Sequence, residues 1–577
     1  MIKEKNLLAV LNEMAKTFKK NIPSDQQLEK VIGSKYFRDF IISLIEHPMY
    51  DPDTELEFQK RGKIAALPII RKLRGCLSQT SELCFSSFVE LSNLMTPDLD
   101  PVFGTFLNNL KKSKQRKVSI KSLLESDVES GFYDSLSVDL ERENPHALFP
   151  TSPYRESEGF VVSSSDDRTI EAVMTHRSYT SIRIEENILE TSNNILSDFY
   201  SPLGRCICLV DKNVEDSYGV KIEKYFSNNN IKLHKFVYRA MEIDKTLTSV
   251  ERMLHDFKNL SVARHEPVLI IGGGVLADIG GLACALFNRN TPYIMIGSSI
   301  VSAIDAGPSP RTCCDGFGYK NLTGAYHAPI LTITDKSFFK TLKKGWIRHG
   351  VAEIIKMAVV KDSKLFGQLE SVGIDLIDTK FGTHGDSNNS NINMASNEIL
   401  AGAMRSYVES EYGNLFETHQ CRPHAYGHTW SPGFELQSGL LHGHAVSIGM
   451  GFGAFLSWKQ DWLNLSDLNR VLNLISEYEL SLWHEILLDE ELIWNAQTSV
   501  TDKRGGNLAA PVPKGKIGEC GYINNLPRSD LRQNILEYQN FCKNFARNGH
   551  GIEPLCTDVG LENPADALDI SGPTKAA

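Results

Sequence analysis

The stretch VLIIGGGVLADIGG, residues 268–281, decides the fold of this chain. The apolar run 268–271 has the length of a buried strand. The glycines after it would let backbone N–H groups approach a pyrophosphate at the start of a helix. The spacing GGGxxxDxGG differs from the GxGxxG of Rossmann folds, so it predicts a different nucleotide-binding fold. A tight loop without a ligand is the alternative that the glycines alone leave open.

The residues that follow this turn carry many cations and hydrogen-bonding groups between apolar segments. In fewer than forty positions the chain presents Arg289, Asp305, Arg311, Lys320, Asn321 and His327. Such a density suits a phosphorylated, polyhydroxylated substrate beside a nucleotide.

The composition excludes several classes of partner. The 577 residues carry a net charge of −10, which argues against nucleic acid or an anionic membrane as the main partner. A local cluster of cations must therefore hold any phosphate. Eleven cysteines without framework spacing predict reduced thiols, and no apolar run is long enough to span a membrane. The N-terminus has no signal-peptide pattern, so we expect a soluble, cytoplasmic protein.

The hydrophobic pattern divides the chain into five regions. These are a helical accessory domain (1–145), a linker (146–168), a doubly wound α/β domain (169–336), a helical domain (337–550) and a frayed tail (551–577). The accessory domain would serve oligomerisation or partner binding.

Several elements are predicted within these regions. Strands are expected at 180–184, 205–210 and 231–237, helices at 250–257, 346–360 and 399–412, and loops at 384–393 and 501–521.

Four histidines concentrate in residues 422–453. They are His424, His428, His442 and His444. A lone histidine is usually a hydrogen-bonded core residue. Imidazoles on neighbouring segments with a carboxylate on a third are typical of a catalytic zinc with an open position. The apolar helix 346–360 offers Glu353 beside Lys356, and a buried charge needs a partner or a metal.

From about residue 170 to 536 the chain resembles the sugar phosphate cyclases, the family of 3-dehydroquinate synthase. The matching motifs are GGGVLADIGG (272–281), DAGPSPRT (305–312), KNLTGAYHAP (320–329), HGVAEIIK (349–356), GHT (427–429) and LLHGHAV (440–446). The form YGHTWSP (426–432), with NLFE (414–417) upstream, is more similar to the sedoheptulose 7-phosphate cyclases of the valiolone synthase type.

The resemblance implies an NAD-binding α/β domain, a helical metal domain, a cleft between them and a homodimer. The implied metal ligands are Glu353, His428 and His442, for zinc or cobalt. The implied NAD site comprises Asp211, Asn213, Glu242, Lys245, Gly272, Gly273, Gly274, Asp278, Ser298, Ser299, Lys320 and Thr341. The implied catalytic and substrate residues are Asp305, Arg311, Lys320, Asn321, Lys356, Lys503 and Arg289, the last reaching a neighbouring subunit's phosphate.

The resemblance also implies the reaction. Sedoheptulose 7-phosphate would become a C7 cyclitol through transient oxidation by NAD, phosphate elimination, reduction and aldol closure, which makes the enzyme a phosphate lyase. The substrate's own phosphate would act as the base.

Departures from the family pattern bear on the substrate. Pro310-Arg311-Thr312 replaces the Gly-Lys-Thr of 3-dehydroquinate synthase, and Pro432 replaces its active-site histidine. Both weigh against that enzyme, although Arg311 or Arg422 could bind its substrate's carboxylate. His444 and His424-Ala425 leave the product stereochemistry open. Two further alternatives are a glycerol-dehydrogenase-like oxidoreductase and an inactive scaffold that acts through its helical N-terminal domain.

Overall fold

A computed structural model of the full chain describes residues 155–163, 170–178, 180–317, 319–384, 390–417 and 422–565. The predicted accessory domain, residues 1–145, lies outside the described residues. Strands β1 (Arg155–Ser163) and β2 (Ile170–Ser178) pair in a two-stranded sheet. Because β1 falls within residues 146–168, the prediction of a linker there is wrong for that strand. Residues Arg155–Arg177 belong to one compact unit, and a second unit contains Ser178–Ala577.

The second unit is built on a parallel sheet. Its strands are β3 (Ser181–Glu185), β4 (Arg205–Asp211), β5 (Lys232–Tyr238), β6 (Val268–Gly272), β7 (Tyr293–Gly297) and β10 (Leu331–Asp335). They lie in the order β3-β10-β7-β6-β4-β5 and pair in parallel. Every residue of β6 is buried, as strands covered on both faces require. The predicted α/β class is confirmed, as are the strands predicted at 180–184, 205–210, 231–237 and 268–271, each within a residue of its observed bounds.

Helices connect the strands of this sheet. They are α1 (Ile195–Tyr200), α2 (Lys212–Asn228), α3 (Leu247–Asn259), α4 (Gly274–Leu286) and α5 (Ile300–Ile304). Two glycines let α4 pack closely: a Cβ on Gly280 would lie 2.9 Å from Ile270 Cδ1, and one on Gly281 would lie 2.5 Å from Thr312 Cγ2. Thr312 belongs to an antiparallel hairpin of β8 (Arg311–Gly316) and β9 (Tyr319–Tyr326).

The rest of the unit is mostly helical, as predicted. Its helices are α6 (Lys344–Val360), α7 (Ser363–Val372), α8 (Asp375–Asp378), α9 (Ser390–Tyr412), α10 (Ser431–Ser438), α11 (His442–Lys459), α12 (Leu465–Glu477), α13 (Glu490–Lys503) and α14 (Arg528–Cys542). Helix α6 is buried at every residue from Gly350 to Val360 and packs on α11. The predicted division of this unit at residue 336 stays a prediction.

Three sequence predictions fail locally in this part. The loop expected at 501–521 contains a hairpin of β11 (Ala510–Lys514) and β12 (Lys516–Ile523), whose pattern is hidden by its prolines and glycines. The loop expected at 384–393 overlaps α9, which begins with serine and asparagines. The tail is not frayed at 551–562, because Val559 is buried and Leu555 pairs with Leu440.

No helix among the described residues has the length and apolar character needed to cross a membrane.

Candidate functional site

Three side chains suited to binding a metal meet where α6, the start of α11 and the segment before α10 come together. The ligand atoms of Glu353, His428 and His442 all lie within 4.8 Å of one another. The Nε2 atoms of His442 and His428 lie 3.3 and 3.8 Å from Glu353 Oε1. This buried oxygen has no partner in hydrogen-bonding geometry among the described residues. Because a buried anion needs compensation, the arrangement fits a bound cation.

A second set of contacts orients the two imidazoles. Nδ1 of His442 lies 2.9 Å from Glu435 Oε2, and Nδ1 of His428 lies 3.1 Å from the carbonyl oxygen of Tyr426. With Nδ1–H donated to these acceptors, each Nε2 keeps its lone pair and faces Glu353. Such outer contacts fix the tautomer that a metal-binding histidine needs.

The electrostatics favour the metal-binding forms of His428 and Glu353, whereas they favour the protonated form of His442. Burial lowers the pKa of His428 to about 3, so its imidazole is neutral. Burial acts to raise the pKa of Glu353, but Lys356 and the two histidines outweigh it and hold that pKa well below the usual range. For His442, burial acts to lower the pKa, whereas Glu435 and Glu353 raise it to about 9. Metal binding at His442 would therefore release a proton.

Lys356 lies one helical turn after Glu353 and contacts that carboxylate. Its Nζ also lies 2.8 Å from Asp305 Oδ2 and 5.9 Å from the ring centre of Tyr407. Burial acts to lower the pKa of Lys356, but the two carboxylates outweigh it and raise that pKa. The cluster therefore contains a fixed ammonium group beside the metal-binding atoms.

Lys320 on β9 extends this network. Its Nζ lies 2.8 Å from Glu242 Oε1 and also contacts Glu435, the partner of His442. The connected set, which we call the metal cluster, is Glu242, Asp305, Lys320, Glu353, Lys356, His428, Glu435 and His442. With neutral histidines its four carboxylates and two ammonium groups have a formal charge of −2. A divalent cation would balance that charge.

The glycine turn leaves space in front of the first turn of α4. A Cβ on Gly273 would meet only Ser299 Oγ, at 3.8 Å, and one on Gly274 would come no closer than 3.6 Å to another atom. Packing within the described chain thus does not require glycine at either position. The two glycines are explained if a ligand closely approaches the backbone N–H groups of the turn. The turn therefore fits a pyrophosphate.

Other predicted nucleotide-site residues border this turn. Asp211 caps α2 by accepting from the N–H of Asn213 at 2.8 Å, and its Cβ lies 3.2 Å from where a Gly272 Cβ would be. Ser298 donates its N–H to Gly272 O at 2.9 Å, and Ser299 caps α5.

A buried lysine connects the nucleotide side to the metal cluster. Nζ of Lys245 lies 2.6 Å from Asp278 Oδ2 on α4 and donates to Asn321 Oδ1 at 2.5 Å. Asn321 follows Lys320 on β9. The predicted cofactor and substrate residues therefore adjoin.

Arg311 lies in a different network. Its Nε is 2.9 Å from Glu411 Oε1, its NH1 is 3.5 Å from Glu417 Oε1, and its NH2 donates to the Tyr407 hydroxyl at 3.0 Å. The sequence analysis missed these three partners. Tyr407 and Glu411 are four residues apart on α9, so the helical pattern could have shown that they share a face.

His424 and Arg422 complete this second network. His424 Nε2 lies 3.0 Å from Glu411 Oε2, and Arg422 NH2 lies 2.7 Å from Glu417 Oε1. We call Arg311, Tyr407, Glu411, Glu417, Arg422 and His424 the arginine cluster. It pairs two guanidinium groups with two carboxylates, so its formal charge is zero.

Several predicted site residues lie apart from these clusters. Arg289 is exposed in the turn before β7, at the amino-terminal ends of the strands, whereas the glycine turn follows the carboxyl end of β6. Lys503 is exposed at the end of α13, and Thr341 donates to the carbonyl of Phe338 at 3.2 Å. His444 pairs through Nδ1 with Ser481 Oγ at 2.9 Å, so it joins neither cluster.

Glu435, which orients His442 and binds Lys320, was also missed. Its only signal in the sequence is an acidic residue in an apolar segment seven positions before His442.

Comparisons with known proteins agree with this geometry. Residues 235–349 match the family model described as 3-dehydroquinate synthase N-terminal, and residues 350–504 match 3-dehydroquinate synthase C-terminal. The chain is 35% identical over 370 residues to a demethyl-4-deoxygadusol synthase of Trichormus variabilis, covering 64% of this chain and 89% of that protein. The chain belongs to the 3-dehydroquinate synthase-like sugar phosphate cyclase family.

Two further relatives of this sugar phosphate cyclase are both named 2-epi-5-epi-valiolone synthase. A 2-epi-5-epi-valiolone synthase of Streptomyces albus is 33% identical over 330 residues, covering 57% of this chain and 79% of the relative. The solved structure of ValA, a 2-epi-5-epi-valiolone synthase from Streptomyces hygroscopicus subsp. jinggangensis with NAD+ and Zn2+ bound, is 30% identical, with a TM-score of 0.59. That match covers 63% of this chain and 98% of ValA.

Proposed function

We propose that this sugar phosphate cyclase converts sedoheptulose 7-phosphate into a C7 cyclitol with the aid of bound NAD and zinc. One observation carries the proposal: Glu353, His428 and His442 converge within a network that also contains Lys320 and Lys356 and adjoins the glycine turn. The names of the relatives and the NAD+ and Zn2+ of ValA support it.

Glu353, His428 and His442 would hold the metal, for which cobalt is also suited, and the glycine turn would hold the pyrophosphate of NAD. When bound, zinc would supply a Lewis acid for adjacent substrate oxygens, and NAD would reversibly accept a hydride. Lys320 and Lys356 would stabilise the phosphate and the developing negative charge.

The contacts of the carboxylates indicate which group acts as the base that removes the proton before phosphate elimination. Asp305, Glu242 and Glu435 each contact a lysine. Since these anions are engaged, the substrate's own phosphate is the better candidate to remove the proton before elimination. Asp305 would instead hold Lys356 in position.

The arginine cluster disfavours the main alternative, 3-dehydroquinate synthase. That reaction needs a free cation for the substrate's carboxylate. Both candidates are already paired, Arg311 with Glu411 and Arg422 with Glu417. The neutral cluster suits the uncharged hydroxyl end of a sugar phosphate. Lys320 and Lys356 argue against a glycerol-dehydrogenase-like oxidoreductase, which would lack such phosphate-binding lysines. The presence of all three predicted metal ligands argues against an inactive scaffold.

The proposal extends to assembly and location. Arg289 lies at the amino-terminal ends of the strands, away from the glycine turn, so it could serve only a neighbouring subunit's site, and we propose a homodimer. The eight cysteines in the described ranges are all free thiols, which supports a reducing, cytoplasmic location.

The test is an incubation with NAD and zinc, offering sedoheptulose 7-phosphate and the dehydroquinate precursor separately. Phosphate release is followed, and the product is identified by NMR. We expect phosphate and a cyclitol from sedoheptulose 7-phosphate alone. Turnover of only the keto-acid phosphate would contradict the proposal, as would release from neither substrate by protein that holds both cofactors.

A further inference from the structure

The loop at residues 439–441 places His442 at the first position of α11. On one side the first turn of α11 rests on α6: the N–H of Gly443 donates to His349 Nδ1 at 3.1 Å, and a Cβ on Gly443 would lie 2.0 Å from His349 O. The loop itself meets chain beyond residue 550, well past residue 504, where the match to the family models ends. The start of α11 and the loop before it are therefore held between α6 and the C-terminal segment.

Backbone hydrogen bonds join this segment to the loop. Leu441 donates its N–H to Pro554 O at 2.8 Å, and Cys556 donates its N–H to Gly439 O at 2.9 Å. Leu440 and Leu555 form an antiparallel bridge between these two bonds. Three consecutive loop residues are thus fixed by the tail, directly before His442.

The same segment is also tied to α6, the helix that carries Glu353. The buried guanidinium of Arg348 lies 2.8 Å from Glu553 Oε2, and Lys343 Nζ donates to Val559 O at 3.1 Å. Val559 packs so closely that its Cγ1 would lie 2.5 Å from a Cβ on Gly345. One short segment, 553–559, therefore contacts both the loop that precedes His442 and the helix that carries Glu353.

We infer that residues 552–559 act as a strap that positions His442 relative to Glu353 and so controls how tightly the metal is held. The inference rests on the proposed metal site. Glu353 and His442 lie on separate helices, so their spacing depends on what joins these helices. Groups outside the ligand set commonly govern metal affinity in this way.

Cys556→Pro is the sharpest variant, because it removes the N–H that reaches Gly439 O. Cys556 is the first residue of a short 3₁₀ helix, where proline is tolerated. Cys556→Ala is the matched control, since it loses the thiol and keeps the N–H. A second pair is Val559→Asp, which places a charge in the buried contact, and Thr557→Asp, which places it at an exposed position.

The readouts are the rate of zinc loss to a chromogenic chelator, the d–d spectrum of the cobalt-loaded protein and the melting temperature of the metal-free protein. We expect Cys556→Pro to lose zinc about 10-fold faster than Cys556→Ala. Its cobalt spectrum should change while the metal-free melting temperature stays that of the control. Val559→Asp should lose zinc faster than Thr557→Asp.

Equal rates and spectra within both pairs would overturn the inference. A metal-free melting temperature of Cys556→Pro that falls below that of Cys556→Ala in parallel with the zinc loss would also overturn it, because the segment would then contribute to stability alone. Wild-type protein that binds no zinc would instead refute the proposed function.

Discussion

The metal cluster and the arginine cluster use the same kinds of residue and differ in balance. Each has buried carboxylates, at least one histidine and cationic partners. In the arginine cluster the guanidinium groups of Arg311 and Arg422 match the carboxylates in number. In the metal cluster four carboxylates meet two lysines, and two imidazoles converge on one oxygen. A surplus of negative charge with convergent donors, rather than the presence of histidine, distinguishes a metal site from a structural network.

Replacing one glutamate by glutamine in each cluster tests this difference, and it should give the largest change in bound zinc and in kcat. Glu353→Gln removes the ligand's charge, and we expect loss of bound zinc and a fall in kcat of about 10³-fold or more. Glu411→Gln should keep its zinc, as measured by elemental analysis, although removing a buried charge should lower its melting temperature. Zinc lost from Glu411→Gln and kept by Glu353→Gln would reverse the assignment.

Lys356→Met tests the catalytic role of the ammonium charge separately from metal binding. Because Lys356 would stabilise negative charge as it develops, kcat should fall by roughly 10²–10³-fold while zinc is retained. Lys361→Met, at the end of the same helix, is the control and should keep the wild-type kcat. A normal kcat for Lys356→Met would show that this lysine balances Glu353 and Asp305 without acting in the reaction.

Glu435→Gln tests the contacts around the ligands. The amide keeps the shape of the side chain and weakens its hold on the His442 Nδ1–H. Zinc affinity should fall by about 10- to 100-fold, measured by competition with a chelator. Excess zinc should restore most of the activity. Unchanged affinity would mean that Glu435 serves Lys320 alone.

Lys336 extends the comparison to a buried cation whose hydrogen-bond partners, within the part of the chain that the structure describes, include no carboxylate. It donates to Asn393 O at 3.2 Å, to Asn393 Oδ1 at 2.5 Å and to Ser396 Oγ at 2.8 Å, and burial lowers its pKa to about 8. Between pH 8 and the ordinary value near 10.5 the unfolded chain binds the extra proton, so stability should rise with pH there.

The measurement is denaturant unfolding of wild type and Lys336→Met across that range. The difference in the free energy of unfolding should grow in favour of wild type, by up to about 1 kcal/mol per pH unit. Parallel profiles would show that the lysine keeps its ordinary pKa.

Much of the α/β part could be predicted because its signals are local. Four apolar residues followed by glycines placed β6 within a residue of its observed bounds and predicted that a helix follows the turn, as α4 does. Glu353, His428 and His442 came from family motifs, since spacing alone could not choose among four histidines. The structure distinguishes them by partners: His424 faces Glu411, and His444 faces Ser481.

What the sequence could not show depends on distant contacts. Glu435 meets Lys320 across 115 positions, and Arg311 meets Tyr407 across 96. The tail lacks a strong periodic pattern, so its burial against Leu441 was not expected. The hairpin at 510–523 was missed because Pro511 and Pro513 resemble loop residues.

Anomalous diffraction at the zinc edge, from crystals grown with zinc and NAD, tests the central assignment most directly. The account predicts one strong peak in the second unit, about 2.0–2.2 Å from a Glu353 oxygen and from Nε2 of His428 and His442. A peak between His424 and Glu411, or none near Glu353 in zinc-loaded protein, would contradict it.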